Sequence, residues 1–205
     1  MKTLSPVGIL LGGAVLLLSG CASSSGSGVG SGPAPEPGPA TGEVIAQATV
    51  LQVEPDAAML CLGAVAESYP PQCSGPEITN WDWAAVEMSE TSQAVTWGSY
   101  AVQGTWDGEA FTVTEPPIPL ALYDPMAQVD PRQDPQNAGA TSEDRLIEIQ
   151  EKLWNSDALE LLTSAPANGY LWVHVPYDDG SIQDYVDGQY GADVVIVQSA
   201  MRPVG

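Results

Sequence analysis

Asp107-Gly108 lies between two β-rich runs, 96–106 and 109–114. Asp-Gly in that setting favours a tight two-residue hairpin turn of type I′. Such a turn fixes the register: Trp106 opposite Glu109, Gly104 opposite Phe111, Val102 opposite Val113. Tyr100, Val102 and Trp106 then share a face with Phe111 and Val113, because side chains alternate along a strand. Phe111 would shield the strand glycine at 104, as an aromatic side chain does on designed sheets. The chain therefore holds at least one hairpin with a buried face, and the rest of its first half must supply the other wall.

Further strand signals precede the hairpin. Residues 44–53 read as a long strand, Pro55-Asp56 as a turn, and 58–63 as a second, buried strand. Residues 87–93 are polar and read as a loop. Four or five strands with few helical periods predict a small, partly closed β-barrel of the oligonucleotide/oligosaccharide-binding (OB) type over residues 43–118, with a β-sandwich as the alternative.

The front of the chain is of another kind. Lys2 precedes an apolar run over 7–18, which is short of the about 20 residues that span a bilayer. It fits the core of a secretory signal. The run ends at Leu18-Ser19-Gly20-Cys21, which resembles the lipobox of bacterial lipoproteins. That resemblance implies removal of residues 1–20, a diacylglyceryl group with palmitate-type chains on Cys21, and an extracytoplasmic chain held on the cell membrane. Residues 21–42 would be its tether: a flexible Ser/Gly segment, then a stiffer one through Pro33, Pro35, Pro37 and Pro39.

Beyond Gly20 the chain keeps 26 acidic residues against four basic ones (Arg132, Arg145, Lys152 and Arg202), about −22. Such a surface repels phosphate backbones and excludes nucleic acid as a natural ligand. It leaves the membrane, reached through the lipid, and an envelope protein or glycan as partners.

An oxidising exterior favours pairing Cys61 with Cys73. The pair lacks the close Cys-x-x-Cys spacing of a redox site. It has no histidine nearby to complete a zinc set. A disulfide across the loop would staple a domain too small for a large core.

Trp81-Asp82-Trp83 suggests two indoles on one face of a strand. They read either as a cover for the barrel end or, with Asp82, as a platform for sugar or peptide. The Asp-Pro pairs at 124, 130 and 134 fail the calcium-loop spacing and mark 119–140 as a linker, draped on a domain through Leu120, Leu122 and Tyr123.

Residues 141–205 read as a small α/β module of order α-β-α-β. A capping box at Thr141-Ser142-Glu143-Asp144 opens a helix with apolar spacing through Leu146, Ile149 and Leu153. Leu159, Leu161 and Leu162 add a further turn before Pro166. Residues 169–175 alternate as a strand, Ser181–Asp184 forms a second capping box, and Gly191 stops the second helix. Residues 193–197 form a last strand, parallel to the first through a right-handed crossover. The fold class expected is α+β: a disulfide-stapled barrel followed by this α/β module.

No nucleophile elbow, phosphate-binding glycine loop or zinc-protease helix motif occurs. His174 has only Asp178 and Asp179 as sequence neighbours for a catalytic role. No catalytic residue, metal site or cofactor is assigned. The expected activity is non-enzymatic binding, with carbohydrate binding on the Trp81/Asp82/Trp83 platform, Trp97 being a candidate extension of it, and envelope hydrolysis as the rival readings.

Five runs carry one more likeness: 60–63, 69–76, 81–83, 177–181 and 199–204. They resemble uncharacterised secreted or lipid-anchored proteins of actinobacteria. The resemblance implies no activity and no site residues.

Overall fold

The computed structural model describes residues 33–124 and 130–204. The signal segment, Cys21 and the first half of the tether lie outside the described residues, as do residues 125–129 of the linker. No helix among the described residues is long and apolar enough to cross a membrane.

The first half is a closed barrel of five strands. These are β1 (Glu43–Val53), β2 (Met59–Cys61), β3 (Glu77–Ile78), β5 (Val95–Trp106) and β6 (Ala110–Val113), running in the order β1-β2-β3-β6-β5. β5 returns to β1 along its length, from Glu43 opposite Thr105 to Val53 opposite Val95. β3 and β6 run parallel and the other pairs antiparallel. This is the Greek-key barrel of OB type. Two short strands widen it beside β5: β4 (Glu90–Ser92) and β7 (Ile118–Pro119). β4 lies in the stretch whose polarity predicted a loop; as a short edge strand it buries no apolar face and leaves no hydrophobic alternation to read.

Alternation along β1 and β5 builds the interior. Val44, Val50, Tyr100, Val102 and Phe111 are fully buried. Two glycines of β5 make room for rings: a side chain at Gly104 would strike the Phe111 ring, and one at Gly98 the Tyr100 ring. Phe111 thus shields Gly104 as expected, but from a diagonal position. The observed register sets Trp106 opposite Phe111 and Gly104 opposite Val113, two residues from the prediction. The cause is Asp107, whose carboxylate accepts the backbone N–H groups of Glu109 at 2.9 Å and Ala110 at 2.7 Å. That side-chain turn lengthens the loop beyond two residues. A slip of two leaves every side chain on its original face, so the buried set survives.

Cys61 and Cys73 form the expected disulfide, with Cα atoms 5.7 Å apart. It ties the end of β2 to the connection before β3.

The second half is a three-stranded sheet, β8 (Thr163–Ala167), β9 (Tyr170–Val175) and β10 (Val195–Ser199). Helices α1 (Glu143–Asn155) and α2 (Ser181–Tyr190) pack on one face. β9 and β10 are parallel through α2, as expected. β8 is a departure: the predicted further turn around Leu159–Leu162 and the Pro166 boundary give way to an edge strand that contains Pro166. An edge strand tolerates proline, which cannot donate to a ladder. The β8–β9 hairpin turns on Asn168-Gly169, both at positive φ, another strong hairpin dipeptide.

Neither capping box caps. Ser142 precedes α1 without a side-chain bond, and Glu143 and Asp144 only place negative charge in its first turn. At α2 the work falls to Asp178, whose carboxylate accepts the backbone N–H groups of Gly180, Ile182 and Gln183.

Three segments join the halves. The proline-rich end of the tether lies across both: Gly38 donates to Asp179 at 3.2 Å and Ala40 to the Trp106 carbonyl at 2.9 Å. Ala34 packs on the α/β core and Ala40 on the barrel core. The linker turns at Pro131–Gln133 and Pro135–Asn137 and docks on the helix-free face of the sheet. There Asn168 donates to the carbonyls of Arg132 and Asp134, and the Tyr170 hydroxyl to that of Asn137. Finally β11 (Arg202–Pro203) returns to the barrel and pairs with β1, while Tyr177 and Met201 enter the barrel core.

Candidate functional site: a polar cleft between the two modules

The return of β11 to β1 places the outward side of the barrel beside the helix-free face of β9 and β10. Between them, and closed on the third side by the linker, is an open cleft of about 1000 Å³. Its walls carry Gln47 from β1, Gln133 from the linker, His174 from β9, Gln198 from β10 and Arg202 from β11. His174 and Gln198 are cross-strand neighbours. They share the helix-free side of the sheet, since alternate residues point to opposite faces. His174, Gln198 and Arg202 are half-buried, whereas Gln47 and Gln133 sit exposed at the rim.

None of these five side chains forms a hydrogen bond or ion pair among the described residues. That is notable in so acidic a chain. Arg145 pairs with Glu148 at 2.9 Å. Arg132 grips Asp130 through two nitrogens, at 2.9 and 2.8 Å, and also reaches Asp193 at 3.3 Å. The Arg132 guanidinium holds the Asp130 carboxyl below the usual range and neutralises the one carboxylate on the cleft wall. Arg202 is left as a cation with no carboxylate partner among the described residues. Burial pushes the His174 imidazole below its ordinary value and keeps it neutral at neutral pH, one nitrogen donating and one accepting.

The residues singled out in the sequence lie elsewhere. Trp83 begins a short turn, Trp83–Ala85, rather than a strand, and Asp82 caps it by accepting the Ala84 N–H at 2.9 Å. Trp81 stacks edge-on with Trp83 (centroids 5.3 Å apart) and tilts against Tyr100 at 5.2 Å. Both indoles are half-buried against the barrel core. The Trp83 N–H donates to Gln52 at 2.6 Å, while that of Trp81 is enclosed without an acceptor among the described residues. Trp97 lies on the outer barrel wall, with the exposed Tyr69 of the disulfide loop edge-on to it at 5.4 Å. Asp178 and Asp179 serve the start of α2 and the tether, and neither bonds to His174. Asp130 and Asp134 each accept a backbone N–H at the start of a linker turn. No group of three His, Cys, Asp or Glu side chains among the described residues is placed to hold a metal.

The sequence offered two faint signals for the cleft. Gln47 interrupts the apolar run of β1 at an outward position, and Arg202 is one of only four cations after Cys21. Neither says that β11 folds back beside β1. No family model, curated protein or solved structure matches the chain.

Proposed function

We propose that this protein is an extracytoplasmic lipoprotein, anchored through Cys21, that works as a non-enzymatic binding module and holds its ligand in the cleft between barrel and α/β layer. The observation that carries the reading is the convergence of His174, Gln198 and Arg202, each without a side-chain partner among the described residues, with Gln47 and Gln133 at the rim. These groups meet water in the open cleft, and a ligand that replaces that water with well-placed hydrogen bonds, above all to the charged Arg202, gains free energy. Specific small-molecule sites are concave and carry a few convergent polar groups of this kind. Binding is favoured over hydrolysis because, among the described residues, no nucleophile or orienting group is hydrogen-bonded to His174, the arrangement an activated base–nucleophile pair shows.

The docked tether bears on the anchor. With residues 33–40 held against the body, at most the eleven residues 22–32, not the whole of 22–42, separate Cys21 from the docked segment. Eleven residues reach at most about 40 Å when fully extended. The cleft would then work within a few tens of ångströms of the membrane, facing envelope proteins or glycans.

A second reading has its own observation: Trp81 and Trp83 each keep part of the indole exposed beside the exposed Asp82. It makes Trp81, Asp82 and Trp83 a sugar platform. Blocking variants separate the two. Gln198→Trp fills the cleft and abolishes ligand uptake from envelope glycan fractions, whereas Trp83→Ala leaves it intact. The opposite pattern transfers the site to the indoles. Fatty-acid labelling that is lost in Cys21→Ala supports the anchor; labelling that persists in that variant removes it.

A further inference from the structure

Resting on the cleft as the binding site, we infer that its ligand is a hydroxyl-rich saccharide bearing a carboxylate, with Arg202 receiving the carboxylate and Gln47, Gln133 and Gln198 the hydroxyls.

Charge is the first reason. Around the cleft Asp130 is already neutralised by a two-nitrogen contact with Arg132, and Asp193 is held by the same guanidinium. What faces the ligand is the Arg202 guanidinium, which has no counter-ion among the described residues and lies half-buried on β11 opposite Ile45. Guanidinium matches a carboxylate through two parallel N–H···O bonds, stronger than neutral ones. Among the described residues the Arg202 guanidinium is left free to receive an anion.

The second reason is the rest of the lining. Three carboxamides present both donors and acceptors, as does a neutral imidazole, and that mixture suits hydroxyl groups, which also do both. Phosphate esters are a poor match: the lining offers one cation, no lysine and no run of backbone N–H groups at a helix start. The third reason is size. About 1000 Å³ lies at the upper end for small-ligand sites and accommodates an oligosaccharide of two or three rings.

The test is calorimetric titration of the purified chain with trigalacturonate, its methyl ester and maltotriose. Trigalacturonate binds, and the ester and maltotriose bind about tenfold more weakly or less, the worth of a charged hydrogen-bond pair. Arg202→Gln brings trigalacturonate down to the level of the ester. Gln133→Ala, which alters only an exposed linker side chain, weakens acid and ester together. Equal binding of acid and ester, unmoved by Arg202→Gln, overturns the charge assignment while the cleft stands as the site. Absence of heat with trigalacturonate at millimolar concentration overturns the saccharide. Undiminished trigalacturonate binding by Gln198→Trp overturns the cleft itself, and with it the reading of the site on which the inference rests.

Discussion

The barrel and the α/β layer bury similar kinds of residue and are built in opposite ways. The α/β layer is contiguous: α1, three strands and α2 all fall within 143–199, and each strand pairs with its neighbour in the chain or across one helix. The barrel draws on the whole chain. Its core takes Ala40 from the tether, Tyr177 from the connection between β9 and α2, and Met201 from beyond β10, and its β1 pairs with β11. The two halves therefore differ in autonomy. Pieces of the second half complete the first, and the cleft exists only because they do.

The largest expected effects test that asymmetry. Phe111→Ala in the barrel and Leu171→Ala in the α/β core should each cost about 3–5 kcal/mol, since both side chains are fully buried. Met201→Ala should cost about 2–5 kcal/mol although it lies near the C-terminus. All three should lower a single unfolding transition seen by both tryptophan fluorescence and far-UV circular dichroism. Two separate transitions, with Met201→Ala moving only the α/β one, break the comparison.

Next in size is the staple, which acts on the barrel alone. Reducing Cys61–Cys73, or replacing both by serine, should lower stability by about 3 kcal/mol in the chain-entropy account of a loop this short. Denaturant titration with and without reductant measures it. Asn168→Ala should cost about 1–3 kcal/mol, because two hydrogen bonds to the linker are lost. It should also raise amide exchange over 130–140, the wall of the cleft, and leave β1 and β5 protected. Uniform loss of protection shows that the linker is not a separately held wall.

How much of this was legible follows from the same contrast. Local signals read well in the α/β half: helical spacing at Leu146, Ile149 and Leu153, the Gly191 stop, and a parallel pair across α2. Its missed element, β8, was signalled by Asn168-Gly169 but masked by Pro166, which an edge strand tolerates. In the barrel the buried face of the 95–113 hairpin was readable, while its register yielded to the side chain of Asp107. Alternation indicates which face is buried and says nothing of which remote segment covers it. The docking of residues 33–40 and the return of β11 depend on partners from dozens to more than a hundred residues away, beyond any local pattern. The cleft depends on that return, so its polar set stayed hidden while the conspicuous Trp81-Asp82-Trp83 stood out.

Acid response gives a smaller effect. Burial lowers the His174 pKa, so the unfolded chain takes a proton first as pH falls below the ordinary 6.5. Stability is full above that value and declines as pH falls toward the folded pKa. Hydrogen bonds hold Asp107, Asp130 and Asp179 below the usual carboxylate range. Their contribution is present above the unfolded carboxylate value and is lost as pH falls through the folded ones. Both act in one direction, and His174→Gln should flatten only the upper part of a stability-against-pH curve.

The most direct test of the cleft is a nitrogen–proton correlation spectrum recorded as trigalacturonate is added, because side-chain amides, the arginine Nε–H and indole N–H groups all report in it. Shifts at the amides of Gln47, Gln133 and Gln198 and at Arg202, with the indoles of Trp81 and Trp83 unmoved, are the predicted result. Shifts confined to those two indoles, or none at the cleft, contradict it.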